Sequence, residues 1–454
     1  MKKGNTSEKL DYFLFGIYLF FFISIVFSLR AISSISIGLI LLTGLIGKRY
    51  YDLQFSHKKN FLFFLCGCGL LFILQCCALL YTQNTSEGWK LLQRSSGLIF
   101  IPFAVFASHK FLTHQMFQKL FLSFAVILMA ASLYCLIISG IHFFSGASIT
   151  VFFYHDLVKP LSQHAIQFSI LVFIALTFLI GKYRERKLVR PRFLLTPMII
   201  FLSFFLLLLS SKLIITVYIL FLLTFFLNKQ FITSKNSIIA LALTALVAIT
   251  ILTANPVGNR FRAIFTGNYM LFTQKEFDPG IHFNGLQFRL LQWRFTGEIL
   301  SERHAWLPGL TPGDVQSFLD RKYIETRMYT GITGTSNHGF LGYHTHNQFL
   351  QVTLENGLPA LLIFFFIGYS LIMLASENKG KELKWFIALL LIYCFTDAPL
   401  ATQYGLVIFT FFPAFIYFGS SVSAEQNPPF KPVKFQKRRS QHDLPETVSA
   451  KQPN

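Results

Sequence analysis

The chain has 454 residues, of which 53% are hydrophobic and only 13% charged, with 55 phenylalanines and a formal net charge of +20. A water-soluble domain carries about a quarter charged residues, so this chain has too little polar surface to cover itself in water. That excludes a soluble enzyme, a disordered protein and a disulfide-stapled domain, and leaves an all-α polytopic membrane protein.

A bilayer offers the backbone no hydrogen bonds, so each crossing needs a helix of about 20 apolar residues. In chain order the apolar runs are 12–29, 31–46, 61–81, 95–108, 120–140, 164–181, 193–210, 212–227, 237–254, 346–374, 385–398 and 405–418, which predicts about twelve spans. The runs 95–108, 212–227 and 385–398 are short for a full crossing. The first run is long enough to stay in the bilayer and has no small-residue cleavage motif after it, so it reads as a signal anchor. All six cysteines lie inside apolar runs without metal-ligand spacing, and read as small buried hydrophobes.

Lysine and arginine set the expected orientation. With the N-terminus inside, the inner segments hold 26 Lys and Arg, the short outer turns hold 5, and the long segment 255–345 holds 9. Short loops rich in Lys and Arg stay cytoplasmic, whereas long loops are exempt. Both termini are therefore expected inside and the long loop outside. The positive charge is topological rather than a nucleic-acid signal, and the basic stretch Lys431 to Arg439 is expected to rest on anionic lipid. The expected organisation is spans 1–9 within 1–254, a large periplasmic loop over 255–345, spans 10–12 within 346–418, and a basic cytoplasmic tail over 419–454.

The long loop contains two expected helices. Residues 284–303 place Leu286, Leu290, Trp293 and Leu300 at helical spacing. A second helix is expected from Thr311 as N-cap, with Pro312 at its first position and Asp314 closing a capping box. Val315, Phe318, Leu319 and Tyr323 mark its apolar face. Between the two lies Leu307-Pro-Gly-Leu-Thr-Pro-Gly313, a turn-rich connection, and the four glycines of 329–345 predict irregular chain.

The chemistry-bearing residues crowd the outer surface. The densest group is Gly342-Tyr-His344-Thr-His346-Asn347, which ends the loop and opens a helix carrying Gln348, Gln351, Glu355 and Asn356. A histidine there can act as a general base near neutral pH, and polar groups at that depth belong to a wet cavity rather than to lipid. Two plainer readings stand beside this one: interfacial snorkelling with helix capping, and a zinc site from His338, His344 and His346. Arg289 offers a planar fork for phosphate oxygens, against the plainer reading of a solvated helix face. Lys212 sits between two apolar runs, where a lysine often only snorkels. Arg94, Lys159, Asp397 and His155-Asp156 are weaker candidates of the same kind. No nucleotide-binding loop or zincin motif occurs, so no cofactor or metal is expected. An enzyme facing away from the cytoplasm needs an already activated donor, for which a lipid diphosphate in the same membrane is the natural form.

The pattern His346-Asn347, nine residues, Gly357 resembles the signature of the O-antigen ligase and O-antigen polymerase superfamily. Arg289-x-x-x-Trp293 and the Leu307 to Gly313 run are similar to its Arg-x-x-x-Trp and Gly-rich elements. The long loop between spans 9 and 10 also fits. Two departures are visible: Lys212 stands where the family has Arg, and Ala360 where the ligase signature prefers Gly, Thr or Tyr.

The resemblance implies a lipid-donor glycosyltransferase of the bacterial inner membrane. It would move a glycan from undecaprenyl diphosphate to an acceptor at the periplasmic face, most simply as O-antigen ligation to lipid A core in lipopolysaccharide biosynthesis. Polymerisation of repeat units on the carrier shares the same motifs. A lipid-linked glycan flippase is the alternative from another class, disfavoured because ionisable groups lie at the surface rather than mid-span. The implied roles are His346 as catalytic base, Lys212 and Arg289 as diphosphate ligands, and His344, Asn347, Gln348, Glu355 and Gly357 in support. The transfer is expected to be inverting and metal-independent.

Overall fold

The structure, a computed structural model, describes residues 3–47, 59–184, 192–226, 245, 256–335, 337–378 and 380–421. Among these residues every regular element is helical, and eight helices are long and apolar enough to cross a membrane. This is an all-helical membrane protein. In chain order the helices are α1 (Lys3–Val26), α2 (Arg30–Gly47), α3 (Lys59–Ala78), α4 (Thr85–Ser95), α5 (Gly97–Ser108), α6 (His114–Phe144) and the short α7 (Tyr154–Val158). They continue as α8 (Ala165–Arg184), α9 (Arg192–Leu208), α10 (Lys212–Phe226), α11 (Pro256–Phe265), α12 (Gly285–Glu302), α13 (Val315–Glu325), α14 (Gln348–Glu377), α15 (Lys381–Thr396) and α16 (Gln403–Ser421). The expected run 237–254 and the tail beyond Ser421 lie outside the described residues. The other expected runs each coincide with a helix.

Helix α4 escapes a search for apolar runs because it is amphipathic. The Asn84 side chain accepts from the Glu87 amide at its start, and Arg94 stands in its last turn. The phenylalanines build the core. Phe21 and Phe22 of α1 meet Phe411 of α16 and Phe124 of α6 at ring separations of 4.3 and 4.9 Å, within the range where offset and edge-on rings attract. Small residues let helices close in elsewhere. A Cβ on Gly44 of α2 would lie 2.6 Å from the Ala107 carbonyl carbon of α5, the close approach typical of membrane helix pairs.

Helix α14 is broken. Asn356 and Gly357 leave helical geometry, Gly357 at φ 70°, and Pro359 has no N–H to give the Glu355 carbonyl. The Leu307 to Gly313 connection repairs the break. Leu310 N donates to Leu354 O and Thr311 N to Glu355 O, both at 2.8 Å, and Leu358 N donates to Trp306 O at 2.8 Å. Two glycines make this contact possible. A Cβ on Gly357 would lie 1.9 Å from Leu307 O, and one on Gly309, at φ 73°, 2.6 Å from Asn356 Cα.

Helices α12 and α13 form a second small core with Leu354, built on Phe288, Leu291, Phe295, Ile299, Leu319 and Tyr323. The expected inward face of α12 is rotated. Leu286, Leu290 and Trp293 are half-buried, whereas Leu300 is buried beside the residues just named. Polar anchors set this rotation: Gln292 donates to His344 O at 2.5 Å, and Arg289 Nε to Thr396 O at 2.7 Å. The capping box falls at Asn284 and Gln287 of α12 rather than at Thr311. Helix α13 starts only at Val315, because Asp314 is committed elsewhere. Its carboxylate accepts from Thr82 Oγ1, Gln83 N, Asn84 N and Thr311 Oγ1. It thereby clasps the loop to the α3–α4 turn. Burial raises the Asp314 pKa, but these four donors together hold it below the ordinary carboxylate value.

Two outcomes follow from this frame. Gly357→Ala should lower stability by at least about 2 kcal/mol, since the added methyl meets backbone at a left-handed residue. Asp314→Ala should cost about 2 kcal/mol through its lost charged hydrogen bonds. The clasp should hold above pH ~4 and loosen as pH falls below it. Thermal unfolding of the purified protein checks both variants, and a wild-type melting temperature for Gly357→Ala would contradict the glycine argument.

Candidate active site

His346 and Asp397 meet where α14 begins and α15 ends. His346 Nδ1 lies 3.3 Å from Asp397 Oδ1. The other carboxylate oxygen accepts from Tyr393 Oη at 3.0 Å, and Oδ1 also accepts from Ala398 N at 2.9 Å. Burial alone would raise the Asp397 pKa, but the His346 hydrogen bond, the nearby imidazoles and the Ala398 amide hold it well below the carboxylate range. Asp397 is thus ionised at neutral pH. It accepts the Nδ1 proton of His346 and leaves Nε2 as the basic nitrogen. His346 itself has φ 46°, a strained setting for a residue with a Cβ and one concentrated at functional positions. Phe288 of α12 and Tyr343 flank its ring at 6.2 and 5.8 Å, so the loop forms one wall of the site.

His344 stands beside the pair, its ring 4.4 Å from that of His346 and its Nε2 3.7 Å from Asp397 Oδ1. Burial, the neighbouring His346, Arg94 and His164 outweigh the attraction of Asp397 and push its pKa down to about 4, so it is neutral near pH 7. Ligand atoms of His344, His346 and Asp397 all lie within 4.8 Å of one another. The alternative zinc set of His338, His344 and His346 is not brought together: His338 is exposed, and Asp397 stands beside the other two. The proton pattern of this trio suits a hydrogen-bonded relay better than a metal. His344 Nδ1 accepts the His346 amide at 3.1 Å, which puts its proton on Nε2, the atom a shared ion would need bare.

The supporting residues act on the frame of the dyad. Asn347 caps α14 by accepting from Leu350 N, and its amide donates to Phe395 O at 3.4 Å. Gln348 Oε1 accepts from Leu400 N at 2.8 Å. Both therefore grip the 395–400 segment that carries Asp397, rather than His346 directly. Glu355 is buried and accepts from Gln351 Nε2 at 2.7 Å. Gly357 belongs to the helix break and not to the dyad.

The two expected cations lie within electrostatic range of each other. Arg289 is tied down by Nε to Thr396 O and by Nη1 to Gly285 O. That places its charge one residue from Asp397 and leaves three of its five N–H groups for a ligand. Lys212, the first residue of α10, is half-buried and lies within electrostatic range of Arg289 and of Arg260. Arg260 was not among the expected site residues. It packs its guanidinium 3.3 Å from the Tyr154 ring centroid. No carboxylate pairs with Lys212, Arg260 or Arg289 among the described residues.

His164 was also missed. It precedes α8, 4.5 Å from the His155 ring. Burial, with the charges of His346 and Arg289, pushes its pKa down against the pull of Asp397. Burial, His164 and Arg260 push His155 down to about 4. One signal for Asp397 was available, an ionisable residue closing an apolar run; its partner 51 positions away was not.

His344 and His155 both have folded pKa values below the ordinary 6.5, so the unfolded chain binds protons more readily than the folded one. Their contribution is whole above pH 6.5 and is lost as pH falls towards 4. The melting temperature should fall over that window, and less steeply for His344→Gln; equal slopes in the two proteins would contradict the assignment. No model of a known protein family matches this chain, and no curated protein matches it.

Proposed function

We propose that the protein is a glycan transferase of the bacterial inner membrane. In this reading it takes its donor from undecaprenyl diphosphate at the periplasmic face and attaches the glycan to lipid A core. The observation that carries the proposal is the His346–Asp397 pair with Arg289 beside it and Lys212 and Arg260 in electrostatic range, three cations that have no acidic partner among the described residues. Like charges gathered without a counterion call for an anion, and a diphosphate leaving group supplies one. The resemblance of His346 to Gly357, and of Arg289 to Trp293, to the O-antigen ligase and polymerase signatures points the same way.

The chemistry then follows from the residues. Asp397 holds the Nδ1 proton of His346, so Nε2 removes the proton of the acceptor hydroxyl. The hydroxyl oxygen attacks the anomeric carbon from the side opposite the diphosphate. The carbon–oxygen bond to phosphate breaks, the configuration inverts, and undecaprenyl diphosphate leaves. Lys212 and Arg289, joined by Arg260, neutralise the charge developing on it. A lysine at 212 contributes a point charge where an arginine would add a fork, and Arg260 supplies a fork nearby. The α12–α13 unit roofs the site against water, which would otherwise hydrolyse the donor. The long loop is then periplasmic, with twelve spans in all and both termini cytoplasmic.

His346→Ala should lower transfer at least about 100-fold at normal abundance, and Asp397→Asn at least about tenfold by releasing the tautomer. Chelators should leave the rate unchanged. The deciding test is a gel of surface glycolipid from cells lacking the gene, with the undecaprenyl-linked pool extracted in parallel. Loss of the ladder with long glycan accumulating on the carrier is expected. Core bearing a single repeat would instead identify a polymerase, and an unchanged ladder would sink the transferase reading for this acceptor.

A further inference from the structure

A second cavity, of about 870 Å³, lies at the end of the bundle where α2, α5, α8 and α16 begin. Its volume is within the range of about 300–1,000 Å³ that takes small-molecule ligands. Arg30, Lys90, Arg94 and His164 line it, and no carboxylate does among the described residues. Lys90 pairs with Glu87 at 3.1 Å, and Arg94 lies within electrostatic range of Glu355 and Glu87. Arg30 lies 6.0 Å from the Tyr404 ring centroid and forms no ion pair among the described residues. The lining is thus net positive, and the amino ends of four helices add to the potential.

Two buried polar atoms on this wall lack a partner among the described residues. Ser33 is 1% exposed, and its Oγ makes no hydrogen bond. Arg94 Nε is likewise buried and unpaired. Buried polar groups left unmet within a protein point to a ligand or ordered water at that place. The far side of the cavity has the opposite character. Helices α2 and α5 touch at Gly44 and Ala107, and towards their first turns Ile37 and Leu41 of α2 and Phe100 and Ile101 of α5 line the cavity. Phe100 is exposed on the bundle surface. A cationic end with unmet donors, joined to an apolar cleft between two membrane helices, matches an amphiphile whose headgroup carries phosphate.

We propose that this cavity binds the phosphate-bearing headgroup of a bilayer lipid, with its chains running out between α2 and α5, and that this lipid is the acceptor. The acceptor role rests on the transferase reading above; the lipid site does not. Position supports the role. His164 lines the cavity and feels the charges of His346, Asp397 and Arg289, and Ala401 and Thr402 of its wall follow directly on the segment that carries Asp397. The cavity with Arg30 and Arg94 therefore adjoins the dyad through His164 and the segment that carries Asp397, and Lys212 with Arg260 and Arg289 forms a separate cationic group. One group serves the leaving diphosphate, and the other holds the molecule whose hydroxyl is deprotonated.

The test is native mass spectrometry of the delipidated full-length protein, titrated with phosphatidic acid, with phosphatidylcholine of the same chains, and with inorganic phosphate. Phosphatidic acid should bind at least about tenfold tighter than phosphatidylcholine, a factor that one charged hydrogen bond supplies. The Arg30→Gln/Arg94→Gln double variant should lose that preference. Gly38→Leu should weaken lipid binding without removing charge, because a Cβ there meets nothing within 4 Å and the side chain would fill the cleft; it serves if the double variant fails to fold. His346→Ala should bind lipid as wild type does, so loss of transfer in that variant tests the base alone. Equal binding of the two lipids, or an unchanged preference in both cavity variants, would overturn the site. Inorganic phosphate binding as tightly as phosphatidic acid would overturn the lipid assignment. If both cavity variants bind less lipid yet transfer at the wild-type rate, the lipid is not the acceptor.

Discussion

A helix in a bilayer has to satisfy its backbone from within, and α14 cannot. Pro359 withholds the proton that the Glu355 carbonyl needs, and Asn356 and Gly357 leave the helical path. The amides of Leu310 and Thr311 fill the vacant acceptors, and Trp306 takes the freed amide of Leu358. Non-helical backbone at such depth is tolerated only where other protein covers it. The covering here is the loop itself, so the position of α12 and α13 is set by the same contact that makes the broken helix possible. Arg289, Gln292 and Phe288 ride on α12, and through them the break fixes where His344 and His346 lie. The clasp at Asp314 ties the same connection to the α3–α4 turn.

Charge is distributed to match. The chain carries twice as many basic as acidic residues, yet the cations that matter are few and gathered at one end. Asp397 is spent on orienting an imidazole, and Asp314 on backbone amides. That leaves Lys212, Arg260 and Arg289 in one group, and Arg30 in the cavity with Arg94, without an ion pair among the described residues. In a partly desolvated setting such an imbalance is costly when empty and favourable when an anion sits there.

The helical runs and the polar cluster from Gly342 to Asn347 were legible because hydropathy and local spacing carry them. The run from Leu307 to Gly313 and the position of Gly357 also stood out, each as a separate signal. Their mutual contact did not, since nothing local links residues some fifty positions apart. Asp397 stood out only as a weaker candidate: it closes an apolar run, but its pairing with His346 is set by how α15 packs on α14. The face of α12 was misread because Leu and Trp spacing outweighed Gln292 and Arg289, whose hydrogen bonds decide the rotation. Asp314 looked like a capping residue because its spacing from Thr311 fits, and only the neighbouring α3–α4 turn shows why it does otherwise. Amphipathic α4 has too little apolar length to register as a span.

The repaired break also dictates an order of assembly. The acceptors that hold the Trp306 to Thr311 stretch are carbonyls of Leu354 and Glu355, which lie some forty-five residues later in the chain. The α12–α13 unit therefore has no docking place until α14 has been synthesised. Closing a contact of that sequence separation is entropically slow and comes after local helices have formed. The pairing of His346 with Asp397 has to wait still longer, for α15. A nascent chain thus lacks the completed pair until almost all of it is in place, and a product truncated before α15 would carry His346 without the carboxylate that orients it.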